Sequence, residues 1–282
     1  MMRPDLHLHS TCSDGVYTPI QLARLVQRAD VTLFSLTDHD TLSGLSAASD
    51  AAYERGLAFL PGVEINTEGE EEIHILGYGV QADDPVLNKF FQRMAEERIE
   101  RVQIMANKLK SLRMPVPIDE IISSAGPSVG RPHLARAMVR QGYVAETAAA
   151  FDRYLGHGRP AYAPRKKIST SAAIMMLRER GAVPVLAHPG LLNRAPALIN
   201  PLLNAWQDAG LMGIEVYHPA NRGNYAYWDR IARERGLLVT GGSDYHDEGP
   251  RHGQIGETIP EWRLAGEDGW KLFQTVRQMK TV

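Results

Sequence analysis

The sequence His7-Leu8-His9 places two imidazoles two positions apart near the start of the chain. Successive side chains of a β-strand point to opposite faces, so residues two apart lie on the same face. If this segment is a strand, both rings can bind one metal ion. The same spacing is also typical of ordinary polar positions on a strand, so the pair alone does not establish a metal site.

Further histidines and carboxylates follow apolar segments along the whole chain. They are Asp14, His39, Glu64, His74, His188, Asp244 and His246, with Asp38 and Asp40 beside His39. Imidazole and carboxylate are the ligands expected for zinc, manganese and iron. The alternative is that these are polar residues at loop starts, satisfied by local hydrogen bonds. Their repeated position at the ends of apolar segments favours a shared metal site.

Short apolar segments alternate with amphipathic ones, which predicts β–α units. The predicted strands cover about 3–9, 31–36, 58–60, 71–79, 182–187, 212–217 and 237–242. The predicted helices cover about 18–30, 45–55, 172–180, 196–209 and 225–235. Thr18, Pro19 and Gln21 give the first helix a capping box with proline at its first position. Repeated units of this kind imply a parallel sheet, and the carboxyl ends of its strands converge on one face.

The alternation stops at Asp84-Pro85, where a long helix is predicted over about 85–113. Its apolar stripe is Leu87, Phe91, Met94, Val102, Met105, Leu109 and Leu112. We therefore predict three segments: the first part of a barrel over 1–84, a helical insertion over 85–165 and the second part of the barrel over 166–282. We expect the insertion to cover the barrel mouth and to select the substrate.

Six segments resemble successive motifs of the polymerase-and-histidinol-phosphatase (PHP) family. They are DLHLHSTCSDG, SLTDHDT, PGVEI, EEIHILGYG, LAHPG and GGSDYH, in this order and over nearly the whole chain. The resemblance implies an α/β fold, namely a distorted seven-stranded β/α barrel with a helical insertion. It also implies two or three divalent metal ions bound by histidine and carboxylate side chains.

Carried onto this sequence, the resemblance implies three ligand sets. The first is His7, His9, Glu64 and Asp244. The second is Glu64, which bridges, with His74 and His188; the third is Asp14, His39 and His246. Many relatives have histidine where Asp14 stands, and a carboxylate there favours Mn²⁺, with Zn²⁺ or Fe²⁺ as alternatives.

Such a cluster suits phosphoryl transfer. Two metal ions about 3.5–4 Å apart can hold both the attacking and the leaving oxygen, and a metal-bound water becomes a hydroxide nucleophile near neutral pH. No protein nucleophile is then needed, so we assign Cys12 to packing. Asp244 is predicted to be essential for turnover, and Asp40 is predicted to support a metal ligand.

His218 ends a predicted strand but is not needed as a ligand. It is predicted to protonate the leaving alcohol as a general acid, with a structural hydrogen bond as the alternative. Arg98 falls on the apolar stripe of the long helix, where it either snorkels to solvent or reaches into the cleft.

Other polar residues are predicted to contact the substrate. Arg131 stands at a predicted helix start, where arginine and the helix terminus both attract phosphate. The remaining candidates are the cations Arg159, Lys166 and Lys167 and the phosphate-orienting residues Ser10 and Asn221. The run Arg165-Lys166-Lys167 is also typical of a solvated surface, and Arg159 is also typical of a loop cation without a substrate role.

The segments GRPHLARAMV and YLGHGRPAYAP resemble one PHP subgroup that acts on small phosphorylated nucleotides. This resemblance implies removal of the 3′-phosphate from 3′,5′-nucleoside bisphosphates such as 3′-phosphoadenosine 5′-phosphate. A 5′-to-3′ exonuclease on short RNA and a histidinol phosphatase are alternative enzymes. An inactive nucleotide-binding module is the non-enzymatic alternative.

Composition restricts the partners further. The 31 Lys and Arg residues nearly balance the 33 Asp and Glu residues, and the formal net charge is −2. No global basic field favours a stable complex with long nucleic acid, so we expect a small nucleotide or a short oligonucleotide. The single cysteine and the lack of a secretory or membrane-spanning apolar segment predict a soluble, cytoplasmic protein without a membrane partner.

Overall fold

The structure is a computed structural model that describes residues 3–68, 73–125, 129–164, 168–192, 196–248, 253–256, 268, 271–272 and 274–276. The chain divides into two compact units. One consists of Met1–Asp84 and Lys167–Val282, and the other of Pro85–Lys166. No helix among the described residues combines the length and apolarity needed to cross a membrane.

The described residues form nine strands and nine α-helices. The strands are β1 (Pro4–Asp5), β2 (Leu33–Phe34), β3 (Ala58–Phe59), β4 (Gly62–Glu68), β5 (Ile73–Tyr78), β6 (Ile168–Ser169), β7 (Val183–Leu186), β8 (Gly213–Tyr217) and β9 (Leu238–Gly241). The helices are α1 (Pro19–Arg28), α2 (Leu45–Glu54), α3 (Pro85–Ser111), α4 (Ile118–Ala125), α5 (Arg131–Arg140), α6 (Thr147–Ala150), α7 (Thr170–Glu179), α8 (Pro196–Asp208) and α9 (Tyr225–Glu234). The predicted strands and helices occur in the predicted order, although several strands are shorter than predicted, and β4 and β6 were not predicted.

All nine strands belong to the first unit and form two sheets. β1, β2 and β3 make a parallel sheet, and the others make a mixed sheet in the order β6-β4-β5-β7-β8-β9. β5 pairs antiparallel with both β4 and β7. The predicted all-parallel sheet is wrong here, because only residues 69–72 join β4 to β5. A parallel pair needs a crossover of roughly a dozen residues or more.

Isolated bridges connect the two sheets. Leu8 pairs with Tyr245, and His39 pairs with Glu64. The α/β class is confirmed. The described strands do not close into a barrel, so the predicted seven-stranded barrel is not confirmed. The first sheet contributes only two-residue strands, and single bridges take the place of continuous ladders beyond their ends.

Helix α1 begins as its sequence predicts. The Thr18 hydroxyl accepts the backbone N–H of Gln21 at 3.3 Å, and Gln21 Oε1 accepts the backbone N–H of Thr18 at 2.9 Å. The helix packs against α2 and buries Leu22 and Val26. The cap therefore fixes the end of the loop that follows His9.

The core of the first unit lies beneath the strands. Its buried members are Leu6, Leu33, Leu60, Leu76, Tyr78, Val183, Val185, Ala187, Leu272 and Val276. Tyr78 donates its hydroxyl to the carbonyl of Leu6 at 3.0 Å, so a polar group is satisfied inside this core. Strands from both sheets are thereby held in register around one apolar centre.

The second unit consists of helices α3–α6 and a π-helical turn at Phe151–Leu155. The predicted stripe of α3 is buried from Leu87 to Leu109, but Leu112 is 40% exposed. The helix ends at Ser111, and Leu112 lies in the turn that follows, where its N–H still donates to the carbonyl of Lys108 at 3.1 Å. The unit has its own apolar core, which includes Val102, Met105 and Leu134.

Candidate metal centre

His7 and His9 lie just beyond β1, on either side of the bridge between Leu8 and Tyr245. Both side chains are fully buried, and their ring centroids are 5.1 Å apart. Asp244 donates its backbone N–H to the carbonyl of His7, and His9 donates its own to the carbonyl of Tyr245. Both rings contact the same two carboxylates, as their spacing predicts.

Glu64, on β4, lies at the centre of the cluster and is fully buried. Its Oε1 is 2.9 Å from His74 Nδ1 and 2.9 Å from His188 Nε2. Its Oε2 is 2.9 Å from His39 Nδ1 and 3.3 Å from Nε2 of both His7 and His9. One carboxylate that contacts five imidazoles has the position expected of a bridging ligand.

Asp244 and Glu64 flank the same two imidazoles. Asp244 Oδ1 is 3.1 Å from His9 Nε2 and 3.3 Å from His7 Nε2. We call His7, Glu64, Asp244 and the carboxylate behind His7, Glu215, the buried end of the cluster. These side chains are at most 15% exposed.

Asp14, His39 and His246 form the rim of the cluster. Asp14 Oδ1 is 3.3 Å from His246 Nε2, and Asp14 Oδ2 is 3.9 Å from His39 Nε2. The side chain of Asp14 is 45% exposed, whereas those of His39 and His246 are 15% and 11% exposed. His9 joins the two parts, since its Nδ1 is 3.8 Å from Asp14 Oδ1.

The structure brings all nine predicted ligands into this one cluster. Within each of four groups, the ligand atoms lie within 4.8 Å of one another. The groups are His7, His9, Glu64 and Asp244; His9, Asp14, His39 and His246; His39, Glu64 and His74; and His7, Glu215 and His218. His188 adjoins them through Glu64. The ligand role of each residue stays a prediction.

The carboxylates and imidazoles shift one another's pKa values. Burial alone would lower the pKa of His9, but Asp244 and Glu64 raise that pKa to about 10. Burial likewise opposes charge on His7, and Glu215, Asp244 and Glu64 raise its pKa well above the ordinary value. The imidazoles hold the pKa of Glu64 well below its usual range despite burial. The site therefore collects positive charge between its carboxylates, as protons or as cations.

Several buried polar atoms in the cluster have no hydrogen-bond partner among the described residues. They are Nε2 of His7, His9, His74 and His218 and Oε2 of Glu64. Buried polar atoms are nearly always paired, and an ion is one explanation for an exception. The imidazole Nε2 atoms and the carboxylate oxygens of the cluster lie 3.1–3.3 Å apart, and both are atom types that bind divalent cations. Cations held between them would satisfy these atoms.

Backbone strain is concentrated at the same place. Asp40, His188 and Asp244 adopt positive φ angles of 52°, 24° and 54°. Non-glycine residues rarely adopt this region, and such strain often marks functional sites. Close packing adds a further constraint, since a Cβ on Gly242 would lie 2.3 Å from the Cβ of His7.

Glu215 is a contact residue that our sequence reasoning missed. It lies within β8 and is fully buried, with Oε1 2.9 Å from His7 Nδ1. Its Oε2 accepts the backbone N–H of His188 at 2.8 Å. The available signal was a single charged residue inside the otherwise apolar strand segment GIEVY.

Ser10 does not have the free hydroxyl that we expected for phosphate. It is fully buried, and its hydroxyl donates to Asp38 Oδ2 at 2.7 Å while it accepts the backbone N–H of Cys12 at 3.1 Å. Asp38 also accepts the Ser13 hydroxyl at 2.6 Å. These contacts assign Ser10 and Asp38 to holding the loop after His9, a role that we had not predicted for either residue.

Asn221 is likewise consumed by internal hydrogen bonds. Its Oδ1 accepts the N–H of Gly190 at 2.7 Å, and its Nδ2 donates to the carbonyls of Glu215 and Val216 at 2.8 and 2.9 Å. The side chain is fully buried. It connects the loop after His188 to β8, and the predicted phosphate contact has no support in these contacts.

His218 is buried beside the cluster, with Nε2 3.4 Å from Asp244 Oδ2. Its Nδ1 accepts the backbone N–H of Ala220 at 3.0 Å. Neutral His218 therefore carries its hydrogen on Nε2, the atom that faces the cluster. This tautomer presents a hydrogen-bond donor to the cluster and offers a metal ion no lone pair there. The predicted general acid would need the imidazolium, whose hydrogen on Nδ1 would oppose the Ala220 N–H.

Asp40 contacts the cluster through an intermediary. Its Oδ1 and Oδ2 accept the backbone and side-chain N–H groups of Asn66 at 3.0 and 2.9 Å. Asn66 Nδ2 in turn lies 3.3 Å from His39 Nδ1. The contacts agree with the predicted supporting role for Asp40 and add Asn66 to it.

The predicted basic contacts belong to the second unit or fall outside the described residues. Arg131 begins α5, and its guanidinium lies 5.6 Å from the ring centroid of Phe151. Arg159 is exposed. Lys166 and Lys167 lie outside the described residues, so the structure says nothing about their contacts.

Comparison with known proteins places this geometry in a family context. The PHP domain family matches residues 5–155. A 3′,5′-nucleoside bisphosphate phosphatase from Chromobacterium violaceum is 32% identical over 92% of this chain and 92% of its own length. The 5′-3′ exoribonuclease Rnm of Escherichia coli is 32% identical over 96% of this chain and 93% of its own length.

A solved structure gives the same result at the level of the fold. It comes from Bifidobacterium adolescentis and is provisionally assigned as a metal-dependent phosphoesterase. It superposes with a TM-score of 0.78 at 30% identity, over 90% of this chain and 91% of that one. The similarity therefore extends over both units of the chain.

Proposed function

The chain belongs to the PHP family of metal-dependent phosphoesterases, and on this premise we propose that it hydrolyses 3′,5′-nucleoside bisphosphates. The products would be the 5′-monophosphate and inorganic phosphate, and 3′-phosphoadenosine 5′-phosphate is the representative substrate. The similarity to the 3′,5′-nucleoside bisphosphate phosphatase of Chromobacterium violaceum supports this substrate class.

One observation carries the proposal: Glu64 contacts five imidazoles at 2.9–3.3 Å inside a buried cluster. We propose that the site holds two or three divalent ions and that Glu64 would be a ligand shared by two of them. The carboxylate of Asp14 favours Mn²⁺. When bound, the ions would supply Lewis acidity and an activated water. The other predicted ligands are His7, His9, His39, His74, His188, Asp244 and His246.

His218 is our candidate for the side chain that assists the departing oxygen. Hydrolysis forms a new bond from water oxygen to phosphorus and breaks the bond from phosphorus to the 3′ oxygen. The departing 3′ oxygen takes up a proton from water, and neutral His218, whose hydrogen is held on Nε2 by the N–H of Ala220, would donate a hydrogen bond to that oxygen as negative charge develops on it. Asp244, 3.4 Å from Nε2, would orient this imidazole.

The second phosphate of the substrate needs cations away from the metal ions. Arg131 and Arg159 are the described residues that the sequence offers for this role, and Lys166 and Lys167 are the others. A 5′-phosphate held by such cations would select doubly phosphorylated nucleotides over simple phosphomonoesters. This preference would also distinguish the protein from a histidinol phosphatase.

A second candidate is 5′-to-3′ exonuclease activity on short RNA, favoured by the similarity to Rnm. Release of 5′-monophosphates from the 5′ end would break the same bond from phosphorus to the 3′ oxygen. The two activities would then differ only in what the 3′ phosphorus carries, a free phosphate oxygen or the rest of the RNA. A single metal centre can serve both.

The test is a side-by-side measurement of hydrolysis with Mn²⁺, Zn²⁺ or Mg²⁺ present. The substrates are 3′-phosphoadenosine 5′-phosphate, short RNA with and without a 5′-phosphate, and histidinol phosphate. We expect phosphate release from the bisphosphate with Mn²⁺ to have the highest kcat/KM. Faster turnover of 5′-phosphorylated RNA would establish the exonuclease instead, and no turnover of either nucleotide by metal-loaded protein would refute both.

A further inference from the structure

We propose that Glu215 is a positioning residue that holds His7 and His188, members of two different ligand sets, in their metal-binding geometry. The proposal rests on the metal-dependent function proposed above. Glu215 is neither a ligand by prediction nor part of any motif that we used. Its two carboxylate oxygens face one histidine of each set, His7 through Oε1 and His188 through Oε2.

Glu215 fixes which nitrogen of the His7 ring carries the hydrogen. Glu215 Oε1 is 2.9 Å from His7 Nδ1, and both side chains are fully buried. An ionised carboxylate can only accept hydrogen bonds, so His7 Nδ1 must carry its hydrogen. The neutral ring then has its lone pair on Nε2, the atom 3.3 Å from both Glu64 Oε2 and Asp244 Oδ1. Glu215 thus leaves the correct nitrogen free for a cation.

Glu215 also holds the backbone of His188. Glu215 Oε2 accepts the His188 N–H at 2.8 Å, and this residue has the unusual φ of 24°. The imidazole reaches Glu64 Oε1 at 2.9 Å from this backbone position. Asn221 adds a second connection between the same loop and strand, from Gly190 to the carbonyl of Glu215. The strained conformation is therefore fixed from β8.

Both groups that face the Glu215 carboxylate are donors. A carboxylate offers an acceptor to each, whereas a glutamine amide offers one oxygen and one NH₂ group. In Glu215→Gln, the NH₂ group must therefore face either the His188 N–H or His7 Nδ1. In the second case, His7 moves its hydrogen to Nε2 and loses the lone pair that would bind metal. Either arrangement disturbs one ligand without changing side-chain size.

Asp268 provides a control away from the cluster. It is also a buried carboxylate, and it accepts hydrogen bonds from Arg233 at 2.9 Å and from Lys271 at 3.4 Å. No imidazole contacts its side chain in the described residues. Asp268→Asn therefore makes the same chemical change, the loss of one buried acceptor, without acting on a predicted ligand.

The experiment measures Mn²⁺ binding to full-length, metal-free protein by calorimetric titration, together with metal content after gel filtration. We expect Glu215→Gln to weaken Mn²⁺ binding roughly 10–100-fold, the range typical for residues that orient ligands. Glu215→Asp is shorter but keeps two acceptors, so we expect it to bind Mn²⁺ more tightly than Glu215→Gln. Asp268→Asn should lower the unfolding temperature of the metal-free protein and keep the wild-type Mn²⁺ affinity.

Two results would overturn the proposal. One is wild-type Mn²⁺ affinity and stoichiometry in Glu215→Gln. The other is weaker binding by Glu215→Asp than by Glu215→Gln, since side-chain length rather than the pair of acceptors would then matter. If Glu215→Gln does not fold, wild-type Mn²⁺ affinity in Glu215→Asp would be the overturning result, because a carboxylate 1.5 Å shorter (about one C–C bond) cannot reach both donors unchanged.

The readout also separates this proposal from the proposed function. Mn²⁺ titration needs no substrate. If the wild type binds Mn²⁺ and Glu215→Gln loses it, the assignment of Glu215 stands even when no nucleotide is hydrolysed. Turnover of the bisphosphate with unchanged Mn²⁺ binding in Glu215→Gln would instead keep the function and remove the positioning role.

Discussion

The buried end and the rim of the cluster use the same residue types in different surroundings. His7, Glu64 and Glu215 are completely enclosed, whereas the Asp14 side chain is 45% exposed. Electrostatic interactions are much stronger where water is excluded. One cluster thus combines an enclosed, pre-oriented part with a solvent-accessible part, where a bound cation would exchange with solvent more readily.

The largest effect should come from breaking the buried end. Asp244→Ala removes a carboxylate within 3.3 Å of both His7 and His9, and His9→Ala removes the imidazole shared with the rim. Loss of metal ions worth several kcal/mol of transition-state stabilisation corresponds to roughly 10³-fold or more in kcat/KM. Steady-state kinetics and metal content of each variant test this. Asp229→Ala, which alters an ion pair on α9, is the control and should keep wild-type activity.

A smaller effect is expected at His218, which adjoins the buried end without being a predicted ligand. His218→Ala should lower kcat roughly 10²-fold or more, the typical contribution of a donor that stabilises a developing oxyanion, and leave metal content unchanged. A p-nitrophenyl phosphate substrate, whose leaving group is already stable as an anion, should be affected much less. Equal losses on both substrates would show that His218 does not act on the departing oxygen.

The rim should tolerate substitution better. Asp14→Ala removes one exposed ligand of the third set, so we expect about tenfold or greater loss of affinity for one Mn²⁺ and retention of the others. Raising the Mn²⁺ concentration should restore most of the activity, since a weakened site fills by mass action. If Asp14→Ala cannot be rescued by Mn²⁺, or loses all its metal, the distinction between rim and buried end is wrong.

The smallest effect on chemistry is expected outside the cluster. Arg131→Ala should raise KM for the bisphosphate roughly tenfold and leave kcat unchanged, because a charge-assisted hydrogen bond worth about 1.5–3 kcal/mol acts equally on ground and transition states. Turnover of p-nitrophenyl phosphate, which has no second phosphate, is the internal control. An unchanged KM would remove Arg131 from substrate binding.

The sequence was sufficient to find the cluster because most of its members follow apolar segments, although Glu64 and His74 lie within β4 and β5. His7, Glu64 and Asp244 come from distant segments, yet the rule that such ends converge brought them together. The rule failed in detail at β4 and β5, where a short connection forces antiparallel pairing. The two-residue strands of the first sheet were overestimated, since apolar runs also continue through irregular backbone.

What the sequence did not show is how each polar group is used once buried. Ser10 and Asn221 resembled phosphate contacts because they are small polar residues near ligands, but their hydrogen bonds go to Asp38, Gly190 and β8. Glu215 was passed over because it lies inside a strand rather than at its end. Hydrogen-bond partners depend on three-dimensional proximity, which neither periodicity nor motif spacing contains.

The bridge between Leu8 and Tyr245 has a consequence for synthesis of the protein. Residues 7–9 leave the ribosome well before their backbone partners, residues 244 and 245. At about 5–20 residues per second, the first histidines wait roughly 12–50 s before those partners emerge. A growing chain, or one truncated before residue 244, cannot assemble the full predicted set of ligands. Hydrolytic competence is thereby reserved for polypeptides that have been translated past residue 246.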